Sequence, residues 1–283
     1  MSLTSDQIQS YRDSGFLLIE NAVDQATLKS VRAVIEEYRE RSKAVAESDA
    51  VFDLGPGHGP ETPQLRRLKN PHERHVAFDR LMRSPAIVDP VTDLLGGTCR
   101  FDHSKLNFKP SGTAARIEWH QDWAFYPHTN DDLLAVGVMI EDCTPDNGPL
   151  MVIPGSHKGP VYDHHHNGVF VGGIPQDTFA HRQEEAVSLT APAGSISIHH
   201  VRTLHASSEN TSGRERPLLL YSYSAVDAFP VFVSYELEEY DSRILRGHPT
   251  RQMRSANVPM RLHLPRVTKA DSIFDDQEAI RTG

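Results

Sequence analysis

The feature that most limits what this 283-residue chain can fold into lies in its second half, where short strand-forming runs alternate with turn signals. The runs are Lys105–Lys109, Ala115–His120, Leu134–Ile140, Leu150–Ile153, Ala186–Leu189, Ser195–His199 and Leu218–Ser224. Such spacing argues against βαβ units, whose crossovers need helices, and predicts antiparallel strands packed as a sandwich or barrel. The first hundred residues read differently. Thr4 and Ser5 can cap a helix through about Asp13, Phe16–Ile19 reads as a strand, and Asp24 caps a longer helix. In that helix Leu28, Val31, Ile35 and Tyr38 recur at helical spacing, so one face can pack on a core. A further helix is predicted over Val76–Leu95, ending at Gly96-Gly97. Residues 48–75, rich in Gly, Pro, Asp and charge, read as a loop, and Lys158–His181, rich in Gly and His, as a long loop over one end of the sandwich. The expectation is a single domain, mainly β with flanking helices: a helical part over about 1–100, a β core over about 101–225 and a C-terminal extension over about 226–283.

Charge and cysteine content narrow the function classes. A formal net charge of −9 argues against a general nucleic-acid binder, which would carry a basic surface. The two cysteines, Cys99 and Cys143, form neither a CxxC motif nor a zinc-ligand pattern. No apolar run reaches the roughly 18 residues of a membrane span, and the polar N-terminus lacks the apolar core of a signal peptide. A reducing cytoplasmic setting and a small-molecule substrate are therefore expected, with no nucleic acid and no membrane. The 16 histidines direct attention to metal chemistry.

The central motif is Trp119-His120-Gln121-Asp122-Trp123. Residues two apart on a strand share a face, so His120 and Asp122 can reach one ion while Gln121 points away. Two imidazoles and one carboxylate suit ferrous iron and leave open positions for a chelating cosubstrate and O2. A His-x-Asp pair alone is weak evidence, and a third ligand must come from a distant strand. His199, His200 and His205 are the candidates in the run Ser195–Ser207.

Several segments, taken in order, resemble the phytanoyl-CoA dioxygenase family of Fe(II)/2-oxoglutarate oxygenases. They are Tyr11-Arg12-Asp13-Ser14-Gly15-Phe16-Leu17-Leu18-Ile19, Lys109-Pro110-Ser111-Gly112, Trp119-His120-Gln121-Asp122, Asn147-Gly148-Pro149-Leu150 running into Ile153–Gly159, and His205-Ala206-Ser207 followed by Asn210 and Arg216. The resemblance covers roughly Gln7 to Tyr223 and implies a double-stranded β-helix, the jelly-roll or cupin-like core. In the family the distal histidine stands in an H-[GA]-S context before an arginine, which selects His205 as the third ligand and Arg216 as its companion. His199 and His200 are then strand histidines, one facing the core and one facing solvent.

The same resemblance implies 2-oxoglutarate and O2 as cosubstrates of Fe(II), with oxidation of an unactivated C–H bond, hydroxylation by default, and release of succinate and CO2. The remote carboxylate of 2-oxoglutarate needs a cation of matched geometry, and the guanidinium of Arg216 offers a bidentate fork. Ser207 matches a family serine that bonds that carboxylate, and Asn107 and His103 resemble polar positions that contact the cosubstrate. Gly137-Val138 stand where relatives often carry a tryptophan, a departure that bears on the pocket wall. Asp122 keeps the carboxylate that related halogenases lack, so hydroxylation is preferred to halogenation. Trp123, Phe125, Tyr126 and His128 are expected to line the substrate pocket, together with residues from 48–75, 158–182 and Phe229–Arg261. The substrate expected is a small metabolite or natural-product intermediate. His164-His165-His166 are adjacent and cannot easily converge on one ion, so a solvated or lid-forming loop is expected there, and His157 is expected to be structural. Two other readings stand beside this one. A metal-dependent hydrolase or isomerase on a cupin-like barrel would need neither Arg216 nor 2-oxoglutarate, and a non-catalytic ligand-binding relative would show loss of a metal ligand.

Overall fold

In the computed structural model the described residues are 2–112, 116–175, 178–266, 273–274 and 276–277. Ala115, the expected start of one strand, lies outside them. The helices are α1 (Ser5–Ser14), α2 (Gln25–Ser42), α3 (Pro71–Arg74), α4 (Val76–Met82), α5 (Pro85–Leu94) and α6 (Leu237–Ser242). The strands are β1 (Phe16–Ile19), β2 (Phe52–Leu54), β3 (Leu65–Lys69), β4 (Cys99–Lys109), β5 (Ile117–His120), β6 (Leu133–Met139), β7 (Leu150–Val152), β8 (His165–His166), β9 (Val169–Phe170), β10 (Val187–Leu189), β11 (Ile196–His200), β12 (His205–Ser207), β13 (Arg216–Ser224) and β14 (Ile244–Arg246).

Among the described residues the strands form an antiparallel sheet in the order β1-β11-β6-β13-β4-β3-β2, with β14 also beside β4. A four-stranded sheet runs β10-β7-β12-β5, and β8 and β9 form a small hairpin. The two larger sheets are the halves of a jelly roll. The late strands are interior ones: β12 lies between β7 and β5, and β13 between β6 and β4.

Side-chain alternation decides which face of the large sheet does what. Leu106, Phe108, Val136, Val138, Ile196, Ile198, Leu219 and Tyr221 join one core cluster with Leu28, Val31 and Ile35 of α2 and with Phe78 and Leu81 of α4. Each fully buried aliphatic or Phe side chain there contributes about 1.5–3 kcal/mol. The alternate positions, among them Lys105, Asn107, Lys109, Ala135, His199, Leu218 and Leu220, line a cavity on the opposite face.

Helix starts follow the capping signals. Thr4 and Gln7 form a reciprocal capping box, and Asp24 accepts from Thr27 N. Gly15 ends α1 in the left-handed region with φ 81°, and a Cβ there would stand 2.3 Å from His157 Nδ1 and 2.8 Å from Thr203 Oγ1. The glycine is required both by its backbone and by its neighbours.

Three expectations change. The helix over Val76–Leu95 is two helices, because Pro85 starts α5 and restricts Ser84 before it. The loop over 48–75 contains β2, β3 and α3, with Phe52, Leu54, Leu65 and Leu68 buried on the sheet. The loop over Lys158–His181 holds the β8–β9 hairpin, with His164 and His165 buried and His166 exposed.

Candidate metal centre

β5 ends at His120, and Asp122 opens a one-turn 3-10 helix spanning Asp122–Ala124. A turn at the strand end, rather than strand alternation, therefore sets the carboxylate beside the imidazole. β12 pairs with β5 so that His205 is directly opposite His120, with ring centroids 4.0 Å apart. Single ligand atoms of His120, Asp122 and His205 lie within 4.8 Å of one another, and all three residues are buried. Each imidazole Nε2 stands 3.9 Å from Asp122 Oδ1. That is too long for a hydrogen bond but short enough for two ligand bonds of about 2.1 Å to one ion.

The far sides of both rings are tied down. His120 Nδ1 donates to Glu118 O at 2.8 Å, and His205 Nδ1 donates to Thr203 O at 2.9 Å. These bonds place the proton on Nδ1 and aim the Nε2 lone pairs at the common point. Burial lowers the His120 pKa to about 4 and holds that of His205 well below its ordinary value. Both rings are thus neutral, as metal ligation requires. Burial opposes ionisation of Asp122, but the His199 hydrogen bond and the nearby Lys105 charge work against it, and the carboxyl lies well below its usual range. The donor set, two imidazoles and a carboxylate on one side of a cavity, fits a hard-to-borderline divalent ion such as ferrous iron.

His199 is not merely a core-facing strand residue. Its Nε2 stands 3.4 Å from Asp122 Oδ2 and its ring centroid 4.4 Å from that of His205. His200 is half-buried, with its ring centroid 5.3 Å from that of His157, so neither histidine faces solvent fully. Gln121 does point away from the centre. Its amide donates to Pro160 O and Arg202 O and accepts from Tyr162 N, while its backbone N–H donates to His164 Nε2 at 2.8 Å. Where a solvated or lid-forming loop was expected, His164 and His165 are therefore buried and His164 braces the strand end at Gln121, while His166 stays exposed.

The cavity beside the triad has an empty volume of about 830 Å³, mouth included. At its inner end Arg216 donates through Nε to Asn147 O at 2.9 Å and through Nη2 to Gly148 O at 2.5 Å. Next to it Lys109 Nζ donates to Ser207 Oγ at 2.7 Å and to Ser208 O. Burial first, and then the Arg216 charge, push the Lys109 pKa down to about 7. Asn107 lines the same end and accepts from Arg67 Nε at 3.0 Å. A Cβ added at Gly137 would stand 2.8 Å from Ser197 Oγ and 3.4–3.5 Å from methyls of Leu218 and Leu220, so those side chains fill the place of a bulkier residue, and the two leucines line the cavity there.

His103 does not reach this end. Two pleat steps along β4 from Asn107, it lines an outer chamber, donates to Asp102 Oδ2 at 2.7 Å and packs against Tyr126. Phe125 and Tyr126 also line the outer chamber, which meets the inner one at Arg67, Lys105, Asp122 and Ile273. Burial and the Asp122 charge raise the Tyr126 pKa well above its ordinary value. Trp123 and His128 belong to neither chamber. The turn that aims Asp122 inward swings the Trp123 indole onto Leu133, Val201 and Ala228, with Nε1 donating to Pro259 O at 2.8 Å. His128 is buried and donates from Nδ1 to Tyr126 O. Arg202 is held by Asp131 and Gly159 O.

Sequence reading passed over Arg67, Lys105, Lys109 and the C-terminal pair Ile273 and Phe274, all of which line the inner chamber. The alternation Lys105, Asn107, Lys109 within one strand was the available signal for a polar inner face. Nothing in local pattern brings residues 273–274 over the cavity; Gln277 fixes them there by accepting from Glu118 N and donating to Gly172 O, both at 2.8 Å.

Residues 11–218 match the family model for phytanoyl-CoA dioxygenase. The chain is 36% identical over 280 residues to a probable alpha-ketoglutarate-dependent hypophosphite dioxygenase of Stutzerimonas stutzeri, covering 98% of each chain. It is 30% identical over 240 residues to the L-proline trans-4-hydroxylase of Streptomyces griseoviridis, covering 78% of this chain and 86% of that one. Among solved structures it is similar to EctD from S. alaskensis with bound Fe, with a TM-score of 0.70 and 20% identity over 93% of this chain and 89% of the other. At that identity the likeness is one of fold.

Proposed function

Because the chain belongs to the phytanoyl-CoA dioxygenase family, we propose that His120, Asp122 and His205 hold its ferrous ion and that Arg216, Lys109 and Ser207 hold the remote carboxylate of 2-oxoglutarate. The activity is that of a non-haem Fe(II)/2-oxoglutarate-dependent dioxygenase acting on a small molecule. The observation that carries the residue assignment is the convergence of two Nε2 lone pairs and one carboxylate oxygen, with both Nδ1 atoms already committed to backbone carbonyls. We assign the whole chain to one oxygenase unit, since residues as far apart in sequence as Arg67 and Phe274 line one cavity.

When bound, the metal supplies O2 activation coupled to conversion of 2-oxoglutarate into succinate and CO2. The protein's part is positional and electrostatic. His120 and His205 present neutral, pre-aimed nitrogens and need shed no proton. Asp122 supplies the anionic ligand, and His199 steadies its second oxygen. Arg216 is anchored by two carbonyls and keeps its charge in the cavity, where a carboxylate gains more than it would in water. Ile117, Leu150, Leu218 and Leu220 exclude water from the keto-diacid. Phe125 and Tyr126 flank the outer chamber, where the substrate is presented for hydroxylation.

The test measures iron content and succinate formation together. The wild-type chain is expected to bind about one Fe(II) and to consume 2-oxoglutarate under O2, with hypophosphite, L-proline and ectoine as the first candidate substrates. His205→Ala is expected to lose iron and to lower turnover at least about 100-fold. Full iron binding and turnover in that variant would overturn the assignment.

A further inference from the structure

Asp122 turns its two oxygens to different neighbours. Oδ1 stands 3.9 Å from Nε2 of His120 and 3.9 Å from Nε2 of His205, on the side of a shared ion. Oδ2 stands 3.4 Å from Nε2 of His199, a long hydrogen bond. The division matters to the chemistry. A carboxylate bound through one oxygen leaves the open positions that a chelating cosubstrate and O2 require, and one bound through both would take a position from them.

His199 is itself fixed. It sits in β11, in register with Phe16 of β1 on one side and Ala135 of β6 on the other. Alternation sends Ile196 and Ile198 into the helix-packed core and turns His199 to the cavity face. The small residues of β6 leave room for this, because Ser197 pairs with Gly137 and His199 with Ala135. The His199 ring is buried, and its centroid lies 4.4 Å from that of His205, whose own ring is anchored to Thr203 O.

Hydrogen placement separates His199 from the two ligand histidines. In His120 and His205 the Nδ1 donates to a backbone carbonyl, which frees Nε2 for a metal. In His199 the Nδ1 is buried and meets no hydrogen-bond partner. Among the described residues its side chain has one hydrogen-bonding neighbour, Asp122 Oδ2, and a carboxylate oxygen only accepts. The hydrogen therefore belongs on Nε2, the opposite tautomer from both ligands, and that nitrogen has no lone pair left for an ion.

We propose that His199 is a positioning residue that donates from Nε2 to Asp122 Oδ2, so that the carboxylate meets the metal through Oδ1 alone. It is neither a fourth ligand nor mere packing. The proposal rests on the metal reading above.

The experiment uses the full chain with two variants. His199→Gln keeps an amide donor near the place of Nε2, and His199→Leu fills the space without one. Competition with a chelator reads Fe(II) affinity. The visible charge-transfer band of the anoxic Fe(II)–2-oxoglutarate complex reads the ligand set. His199→Leu is expected to melt as the wild type does, to bind Fe(II) about 10- to 100-fold more weakly, and to shift the band. His199→Gln is expected to recover most of both. Wild-type affinity and an unmoved band in His199→Leu would reduce the residue to packing and overturn the proposal. Complete loss of iron in a folded His199→Leu, equal to that in His205→Ala, would make it a ligand and overturn the proposal too. The metal-free wild type decides the matter if His199→Leu fails to fold. Its histidine-labelled 15N spectra, with the His199 signals assigned by their loss in His199→Gln, are expected to show hydrogen on Nε2 of His199 and on Nδ1 of His120 and His205. Hydrogen on Nδ1 alone at His199 refutes the proposal. Failure of the wild type to bind Fe(II) would count against the metal reading, and the tautomer would still decide the bond between His199 and Asp122.

Discussion

Lys109 is held where its charge is costly, and that cost makes it informative. Its ammonium is buried beside Arg216, with Glu209 and Cys143 as weaker negative influences, and its pKa falls to about 7 from an ordinary 10.5. A carboxylate arriving between the two cations restores the proton's favour, so 2-oxoglutarate binding above pH 7 should take up a proton at Lys109. The affinity for 2-oxoglutarate is therefore expected to fall as pH rises from about 7, by up to about tenfold per unit. In Lys109→Met that slope should vanish, with a KM at pH 7 raised about tenfold. Titration of KM against pH checks both, and a slope unchanged in the variant counts against the assignment. The same shift affects stability. Between about 7 and 10.5 the unfolded chain binds the proton that the folded chain has lost, so ligand-free stability should rise with pH through that window. Thermal melts should show the rise in the wild type and its loss in Lys109→Met. At this scale ordered motifs picked out His120, Asp122, His205 and Arg216, which the fold brings to one cavity, whereas Lys109 read as an ordinary strand-end lysine. His199 was set aside because its environment depends on Asp122, a partner 77 residues away.

The element that holds the cosubstrate end together is the turn at Asn147-Gly148, between β6 and β7. Gly148 takes φ 76°, and a Cβ there would stand 2.4 Å from Lys109 Cδ and 2.8 Å from Ser208 O. The same two residues offer their carbonyls to Arg216. Gly148→Ala should therefore disturb both cations at once. We expect a KM for 2-oxoglutarate raised about tenfold, with iron content preserved because the triad sits on β5, β12 and the turn after β5. Loss of iron in this variant would show that the two ends of the cavity are not separable. Elements whose pattern is local were legible: the cap at Thr4, the cap at Asp24, and the strand-forming runs of β6, β11 and β13. Those governed by long-range pairing were not. β2 and β3 sit in a Gly- and Pro-rich stretch, yet Phe52 and Leu68 pair across them and are buried by the sheet. Asp122 was placed on the right side of the chain for an incomplete reason, since a turn rather than a pleat presents it.

Across the whole molecule, segments near both ends of the chain support the site. Thr203, whose carbonyl orients His205, donates its hydroxyl to Gly15 O at 2.8 Å, and β1 extends the sheet beside β11. From the other end Gln277 pins the segment that sets Ile273 and Phe274 over the cavity. Truncation after Arg266 is expected to leave iron binding intact but to open the inner chamber, raising the KM for 2-oxoglutarate several-fold. It should also increase succinate formed without product, because water reaches the site. Matched assays of succinate and product check this, and unchanged coupling would show the cover to be dispensable. The strand order carries one more consequence. β12 and β13, made late in synthesis, are interior strands slotted between partners laid down long before. A nascent chain that has not yet reached them has a gap in each sheet and lacks both His205 and Arg216. On the proposed assignment of His205 and Arg216, an unfinished polypeptide would lack a complete reaction centre until translation had passed the last interior strand.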